Sequence, residues 1–175
     1  MPIKKDVQDQ FGRSAAAYVD SPLHKFGKDL ALMVNIAHTI GNEHLLDIAT
    51  GGGHTANAFA PLVKDVTALD LTLEMLQAAE TFIKNNGHGN VTFVKGDAEN
   101  LPFGDESFDI VTCRIAPHHF PNVDAFLSES YRVLKSDGQF LLDDNVAPEV
   151  NAFDTFYNTI EKERGITVFA DQGTF

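Results

Sequence analysis

A run of three glycines, Gly51 to Gly53, follows a short apolar stretch and precedes a segment that suits a helix. Gly51, Gly53 and Ala56 fit the pattern G-x-G-x-x-A, and Asp70 follows at close to the roughly 20 residues expected of a ribose-binding acid. Glycines at such a turn let a ligand approach the backbone where a Cβ atom would collide with it. On this motif alone, a nucleotide site and a plain strand-to-helix turn both remain open.

Two further acids, Asp47 and Asp97, follow apolar stretches in the same way. The Asp47 carboxylate stands just before the glycines, where it would repel a pyrophosphate, and no lysine or arginine flanks the loop. Clustered acids repel one another and are costly to desolvate unless a partner satisfies them. These residues therefore favour a ligand with a ribose, an adenine and a positive centre but no phosphate. S-adenosylmethionine is such a ligand, because its sulfonium and ammonium groups are cations.

Each acid has a predicted role toward this ligand. Asp70 would accept hydrogen bonds from both ribose hydroxyls, and such charge-assisted bonds are stronger than neutral ones. Asp97 would accept a hydrogen bond from the adenine amine, while the Ala98 backbone N–H addresses a ring nitrogen. Asp47 has two interpretations, as a cofactor-binding acid and as an acceptor for groups of its own loop. The simpler alternatives are a surface acid for Asp70 and a turn cap for Asp97.

The elements that carry these residues alternate between strand and helix patterns. Strands are predicted over 44–49, 65–70, 90–97, 107–114 and 139–144, and helices over 54–60, 73–86, 123–135 and 151–164, with a first helix from Ser21 toward Gly41 and a turn at Asp137–Gly138. This alternation predicts an α/β fold, a doubly wound, Rossmann-like and mostly parallel sheet with helices on both faces. Ligands of such sheets bind beyond the carboxyl ends of the strands, where the strand order reverses.

Length and charge set further limits. The chain has 175 residues, which suits a single domain over 1–175, divided into an N-terminal helical cap (1–42), a cofactor-binding core (43–146) and a shortened C-terminal part (147–175). Thirteen basic against 25 acidic side chains give a formal net charge of −12 without a basic stripe, so we expect no nucleic-acid partner. The sequence predicts no signal peptide and no membrane span. One cysteine, Cys113, suits a buried thiol in a reducing, cytoplasmic setting.

Four segments in order, LLDIATGGGHTANAFAP, VTALDLTLEMLQAA, VKGDAENLPFGDESFDIVTCRIAPHHF and SESYRVLKSDGQFLL, resemble the motifs of class I S-adenosylmethionine-dependent methyltransferases. Within that family the chain is most similar to the small-molecule branch of ubiquinone/menaquinone-biosynthesis C-methyltransferases. The resemblance covers roughly residues 11–164. It implies that the loop glycines hold S-adenosylmethionine, that the acid ending the second strand holds the ribose, that its neighbour packs on adenine, that the acid after the third strand and its neighbour read the base, and that the arginine ending the fourth strand faces cofactor or substrate: Gly51, Gly53, Asp70, Leu71, Asp97, Ala98 and Arg114. Asp47, Ala49 and Thr50 of the same loop complete the predicted cofactor-binding set.

The chain departs from the family pattern at two places. Ala49 stands where the family's loop usually opens with a glycine, and we expect this methyl group to be tolerated. The family's sheet also ends with a sixth and an antiparallel seventh strand, for which the sequence after residue 164 has little room. A truncated or strand-deficient sheet would keep cofactor binding more readily than turnover. One rival function is therefore a cofactor-binding module without turnover. The other, which rests on the G-x-G-x-x-A motif, is an NAD(P)-dependent reductase.

Two adjacent histidines, His118 and His119, follow the fourth predicted strand, where a methyl acceptor would approach. Either one is a candidate catalytic base, since histidine titrates near neutral pH. The alternative for both is packing at the entry of the next helix, and the alternative for Arg114 is an ion pair with a nearby acid. We expect no metal site, a small-molecule methyl acceptor as partner, and leave a homodimer open.

Overall fold

A computed structural model describes residues 27–145 together with Lys4, Gln8 and Val19. Four α-helices and five β-strands follow one another along this part of the chain. They are α1 (Lys28–Ile36), β1 (His44–Ile48), α2 (His54–Phe59), β2 (Asp65–Asp70), α3 (Leu73–Asn85), β3 (Val91–Lys95), β4 (Phe108–Arg114), α4 (Val123–Val133) and β5 (Leu134–Asp143), with a short 3-10 turn at Pro117–His119 between β4 and α4.

All five strands run parallel, in the order β3-β2-β1-β4-β5. The chain adds strands outward from β1 in one direction and then returns to the other side of β1 with β4. The switch in direction therefore lies between β1 and β4, where ligands of open parallel sheets bind. We call the side of the sheet at which the strands end, from Ile48 of β1 to Asp143 of β5, the carboxyl edge.

The central strands are apolar on both faces because helices cover both. Leu46 and Ile48 of β1 belong to one buried cluster with Phe126 and Val133 of α4. Leu45, the neighbour of Leu46 along the same strand, belongs to the other cluster, whose members include residues of α1, α2 and α3: Met33, Ala56, Phe59 and Ile83. Side chains alternate between the faces of a strand, so a strand buried on both sides is an almost unbroken apolar run. The predicted fold class is confirmed.

The last strand differs from its prediction. We expect a turn at Asp137–Gly138 and a strand that begins at Gln139, whereas β5 begins at Leu134, directly after α4. Its pairing with β4 shifts register, because Phe108 pairs with Leu134 but Ile110 pairs with Gln139. The extra residues form an irregularity in the strand rather than a separate turn. The strand then runs regularly to Asp143 and delivers Asp144 to the carboxyl edge.

Several expectations lie outside the described residues. The start of the first predicted helix at Ser21, the predicted helix over 151–164 and the C-terminal part 147–175 belong to this group. The division into cap, core and C-terminal part therefore stays a prediction. Within the described residues, no helix combines the length and apolar character that a membrane crossing needs.

Candidate cofactor site

Three residues of the loop between β1 and α2 have left-handed backbone conformations before the helix begins. Ala49 has φ 55°, Gly51 φ 53° and Gly53 φ 84°. The Thr50 N–H donates to the Leu69 carbonyl of β2 at 2.9 Å, and the Gly53 N–H donates back to the Thr50 carbonyl at 2.9 Å. The loop is thereby tied to β2 and held across the carboxyl edge. The methyl group of Ala49 is accommodated in this strained conformation.

Asp70, the last residue of β2, is held by two backbone groups. Its Oδ2 accepts a hydrogen bond from the Gly51 N–H and its Oδ1 accepts one from the Thr72 N–H, both at 2.9 Å. Burial raises the pKa of this carboxyl, against these hydrogen bonds, which favour the ionised form. Each carboxylate oxygen can accept a second hydrogen bond, so the group is fixed in orientation and still able to bind a pair of hydroxyls.

The two predicted loop glycines serve different purposes. A Cβ atom at Gly53 would lie 2.9 Å from Ala79 Cβ and 2.9 Å from Ile83 Cδ1, so this glycine lets α2 pack against α3. A Cβ atom at Gly51 would meet only the Ala49 carbonyl oxygen, at 4.0 Å, and otherwise open space. Only Gly51 therefore borders room for a ligand. The absence of a side chain at Gly53 is explained by the protein itself.

Asp47 lies beneath the loop and bridges the switch point. It is 1% exposed, and it accepts hydrogen bonds from the hydroxyls of Thr50, at 2.6 Å, and of Thr112 in β4, at 2.8 Å. Burial raises the pKa of Asp47 to about 6, opposed by those hydroxyls and by the Ala56 backbone N–H. Asp47 thus joins β1, β4, the loop and α2. Its contacts match the interpretation of an acceptor for groups of the protein.

The raised pKa of Asp47 predicts a loss of stability as the pH increases. The folded protein holds this proton up to about pH 6, whereas the unfolded chain releases it near 3.8. The protonated Asp47 therefore stabilises the fold fully below pH 3.8, and this stabilisation disappears as the pH rises through about 6. Between these values the wild type should lose about 2 to 3 kcal/mol that an Asp47→Asn variant does not lose. Urea unfolding at successive pH values measures the difference, and parallel curves for the two proteins would contradict it.

Asp97 and Ala98 follow β3 at the same edge. The Asp97 Oδ1 accepts from the Glu99 N–H at 3.0 Å, while its Oδ2 accepts from Lys4 Nζ at 2.5 Å. Lys4 also pairs with Glu99 at 2.6 Å. Nearby, Gln8 donates from its side chain to the Leu71 carbonyl at 2.9 Å. Lys4 and Gln8 therefore contact residues predicted to surround adenine, a link that sequence spacing does not reveal.

Arg114, the last residue of β4, pairs with Asp29 of α1. Its Nε donates to Asp29 Oδ2 at 2.5 Å, and its Nη2 contacts the same oxygen. Partial burial opposes ionisation of Asp29, but the Arg114 guanidinium holds the pKa of this carboxyl below its ordinary value. The ion pair ties α1 to the carboxyl edge. The prediction left open whether Arg114 pairs with an acid or contacts a ligand, and the acid is Asp29.

The histidines lie in the short turn after β4. His118 donates from its backbone N–H to Asp144 Oδ2 at 2.8 Å, and its Nδ1 lies 2.6 Å from Asp144 Oδ1. The His119 ring stacks at a tilt on the His118 ring, with centroids 3.9 Å apart. Among the described residues, no group of three or more histidine, cysteine or acidic side chains could hold a metal ion. The twelve predicted site residues thus all lie in the last residues of β1, β2 and β4 or after the ends of β1 to β4.

A family model described as a methyltransferase domain matches residues 46–142, from within β1 to within β5. The match covers more than half of the chain and contains the loop, Asp70, Asp97 and Arg114. The chain belongs to the class I S-adenosylmethionine-dependent methyltransferases. S-adenosylmethionine is the cofactor of this family. The residues that match the family's motifs lie at the carboxyl edge.

Individual relatives of this methyltransferase domain agree with the family match. The uncharacterized methyltransferase YcgJ of Bacillus subtilis is 45% identical over 88% of this chain and 61% of its own length. The demethylmenaquinone methyltransferase of Thermotoga maritima is 32% identical over 86% of this chain and 66% of its own. The crystal structure of BH2331 from Bacillus halodurans C-125 is 63% identical with a TM-score of 0.73, covering 79% of this chain and 60% of that one. The chain spans about three fifths of the length of the first of these relatives.

Four residues that contact the predicted site residues were not singled out from the sequence. Thr112 and Asp29 hold Asp47 and Arg114, while Lys4 and Asp144 hold Asp97 and His118. Each is distant in sequence from its partner, so only the folding of the chain brings the pair together. Asp144 offered the one available signal, because a carboxylate directly after a fifth parallel strand must also lie at the carboxyl edge.

Proposed function

We propose that this protein binds S-adenosylmethionine across the carboxyl edge and transfers its methyl group directly to a small-molecule acceptor. The sulfonium carries its own leaving group, so the protein needs to align the acceptor with the methyl carbon and to exclude water. Asp70 would hold the ribose, Gly51 would lie against the cofactor, and Leu71, Asp97 and Ala98 would surround the adenine. Asp47, Thr50 and Gly53 would support the loop from below.

The orientation of Asp70 is the observation that carries this proposal. Both of its oxygens are fixed by backbone N–H groups of residues that flank the site, Gly51 and Thr72. A buried carboxylate whose two oxygens are fixed in orientation, each with capacity for a second hydrogen bond, suits a pair of vicinal hydroxyls. Its position beside a left-handed glycine that faces open space gives the hydroxyls a way to reach it.

The buried Asp47 favours S-adenosylmethionine over a dinucleotide. A pyrophosphate at the start of α2 would need the N–H groups of the loop and helix, and it would meet the Asp47 carboxyl below them. That carboxyl already accepts from the Thr50 hydroxyl and interacts with the Ala56 N–H. A sulfonium compound avoids this repulsion. The reductase alternative accordingly has no support in the geometry.

A small-molecule acceptor is supported by charge and by relatives. The formal net charge of −12 disfavours a polyanionic substrate such as RNA or DNA. Relatives named as demethylmenaquinone methyltransferases and as ubiquinone/menaquinone biosynthesis C-methyltransferases are 32% identical to this chain, and those names specify small quinone-ring compounds. The cytoplasmic location and the homodimer considered from the sequence stay predictions.

Calorimetric titration of the whole chain tests the proposal. We expect saturable binding of S-adenosylhomocysteine and no binding of NAD⁺ or NADP⁺ at the same concentrations. A preference for a dinucleotide would overturn the proposal in favour of a reductase. Binding without any release of labelled methyl groups to a panel of phenols, amines and thiols would favour the module without turnover.

A further inference from the structure

Asp144 holds His118 by two separate contacts at the carboxyl edge. One carboxylate oxygen accepts the His118 backbone N–H at 2.8 Å, and the other lies 2.6 Å from the Nδ1 atom of its ring. The Asn145 N–H also donates to this second oxygen, at 2.8 Å. Asp144 therefore fixes both the main chain and the ring of His118. Two points of attachment leave the ring little freedom to rotate.

The contact between the ring and Asp144 selects one form of the neutral imidazole. An ionised carboxylate can only accept hydrogen bonds, so Nδ1 must carry the hydrogen that it donates to Asp144. In a neutral ring the second nitrogen, Nε2, is then a proton acceptor. The same carboxylate would stabilise the positive charge that appears once Nε2 has taken up a proton. This arrangement suits a general base.

His118 follows β4 and Asp144 follows β5, so the dyad lies on the side of the switch point opposite to β2 and Asp70. Ala116, directly before the turn that carries His118, belongs to the same apolar cluster as Ala49 of the loop and Ala98 after β3. His118 is 14% exposed and Asp144 18% exposed in their side chains, so the dyad is sheltered but reachable. It therefore borders the region in which the acceptor would meet the methyl group.

We propose that His118 is the proton acceptor of the methyl transfer and that Asp144 is its positioning residue, so the acceptor substrate belongs to the class of ionisable hydroxyl compounds, phenols and enols. This inference rests on the proposed function and names its substrate class. As the acceptor oxygen, or the carbon conjugated to it, forms its bond to the methyl carbon, the carbon–sulfur bond breaks and its electron pair neutralises the sulfonium. The hydroxyl proton passes to Nε2 of His118. Asp144 compensates the imidazolium charge until the proton leaves to solvent.

The charged groups around His118 agree with this direction of proton transfer. Asp144 faces it from the end of β5, and the His119 ring lies against it from its own turn. Asp143 precedes Asp144, and its carboxyl has a raised pKa, first through burial and then through the nearby Asp29 charge, with Arg114 opposing. Acids thus outnumber cations at this end of the edge. These acids attract a positively charged imidazolium at His118, whereas they would repel a further carboxylate there.

A second histidine–aspartate pair in the same chain provides a matched control. The Nδ1 atom of His44 lies 2.8 Å from Asp65 Oδ1 at the amino ends of β1 and β2, far from the carboxyl edge. These side chains are 38% and 40% exposed. The His44 backbone N–H donates to Asp109 and not to Asp65. Asp65→Asn therefore alters a similar contact without touching the proposed dyad.

Nitrogen NMR of the full chain with ¹⁵N-labelled histidine tests the positioning role. In the wild type at pH 8, His118 should show a protonated Nδ1 and an unprotonated Nε2. In Asp144→Asn the amide can donate to Nδ1, so the ring should change to the form protonated at Nε2. Asp65→Asn should leave the His118 signals unchanged. An Nε2-protonated His118 in the wild type would overturn the proposal.

Binding of 4-nitrophenol to protein saturated with S-adenosylhomocysteine tests the substrate class. The colour of nitrophenolate reports ionisation directly. We expect half of the bound probe to ionise at a pH about one unit lower in the wild type than in His118→Ala or Asp144→Asn, because the dyad takes up its proton. Asp65→Asn should behave as the wild type. Absence of binding, or the same ionisation midpoint in all variants, would overturn the proposal, whereas failure of S-adenosylhomocysteine itself to bind would contradict the proposed function.

Discussion

Asp70→Ala should weaken the binding of S-adenosylhomocysteine by about 1.5 to 3 kcal/mol, or roughly 10- to 150-fold, because it removes two charge-assisted hydrogen bonds to the ribose. The stability of the protein should change less. The variant leaves the Gly51 and Thr72 N–H groups without their acceptor, which is destabilising. It also removes a buried carboxylate whose ionisation is opposed by desolvation, and this effect is stabilising. Calorimetric titration and urea unfolding measure the two quantities separately.

Asp65→Ala is the control for this prediction. Asp65 begins the strand that Asp70 ends, so the variant changes an acid on the same strand at the opposite edge of the sheet. We expect its affinity for S-adenosylhomocysteine to equal that of the wild type. If Asp70→Ala is folded and binds as tightly as this control, Asp70 does not hold the ribose.

The Asp70 carboxyl also predicts how the affinity for S-adenosylhomocysteine depends on pH. Burial raises the pKa of Asp70 in the free protein, so this carboxyl keeps its proton to a higher pH than an ordinary aspartate does. A protonated carboxyl accepts fewer hydrogen bonds than an ionised one. Cofactor affinity should therefore increase with pH until Asp70 is ionised and then stay constant. A pH-independent affinity from acidic to neutral pH would contradict this assignment.

Local patterns were sufficient for the three central strands and for the loop. The strands over 44–49, 65–70 and 107–114 are found within one residue of their predicted bounds, because buried parallel strands are short apolar runs between polar turns. Asn122, directly before α4, caps the helix, with its side chain accepting from the Ala125 N–H at 3.0 Å. These features depend on neighbours in sequence. The sequence predicted the class of fold but not the order of the strands, which places β4 beside β1.

Contacts between distant residues were beyond the sequence. Asp29 with Arg114, Lys4 with Asp97 and Asp144 with His118 each join residues from different elements, and no spacing rule relates them. The two glycines show the same limit. Their identical residue type suggests one shared purpose, yet one borders open space and the other borders a helix. Only the packing of α2 against α3 separates the two cases.

Gly53→Ala should be the most destabilising substitution in the loop. The backbone of Gly53 has φ 84°, which costs a side-chain-bearing residue about 1 kcal/mol. The new Cβ atom would also lie 2.9 Å from both Ala79 and Ile83 of α3, so the helices must move apart, at about 1 to 3 kcal/mol. We expect a total loss of about 2 to 4 kcal/mol in the free energy of unfolding. Urea unfolding measures it through the transition midpoint.

Substitutions at two other glycines separate the conformational part of this loss from the part due to packing. Gly87 has φ 88° and no atom within 4 Å of a new Cβ, so Gly87→Ala should show only the conformational part, about 1 kcal/mol. Gly51→Ala has a left-handed φ and open space, and it should likewise cost little stability. Its methyl group would project toward the cofactor, so Gly51→Ala should weaken S-adenosylhomocysteine binding more than Gly87→Ala does. If Gly53→Ala were no less stable than Gly87→Ala, packing against α3 would not be the reason for a glycine at residue 53. If Gly51→Ala bound the cofactor as well as the wild type, the cofactor would not lie against this part of the loop.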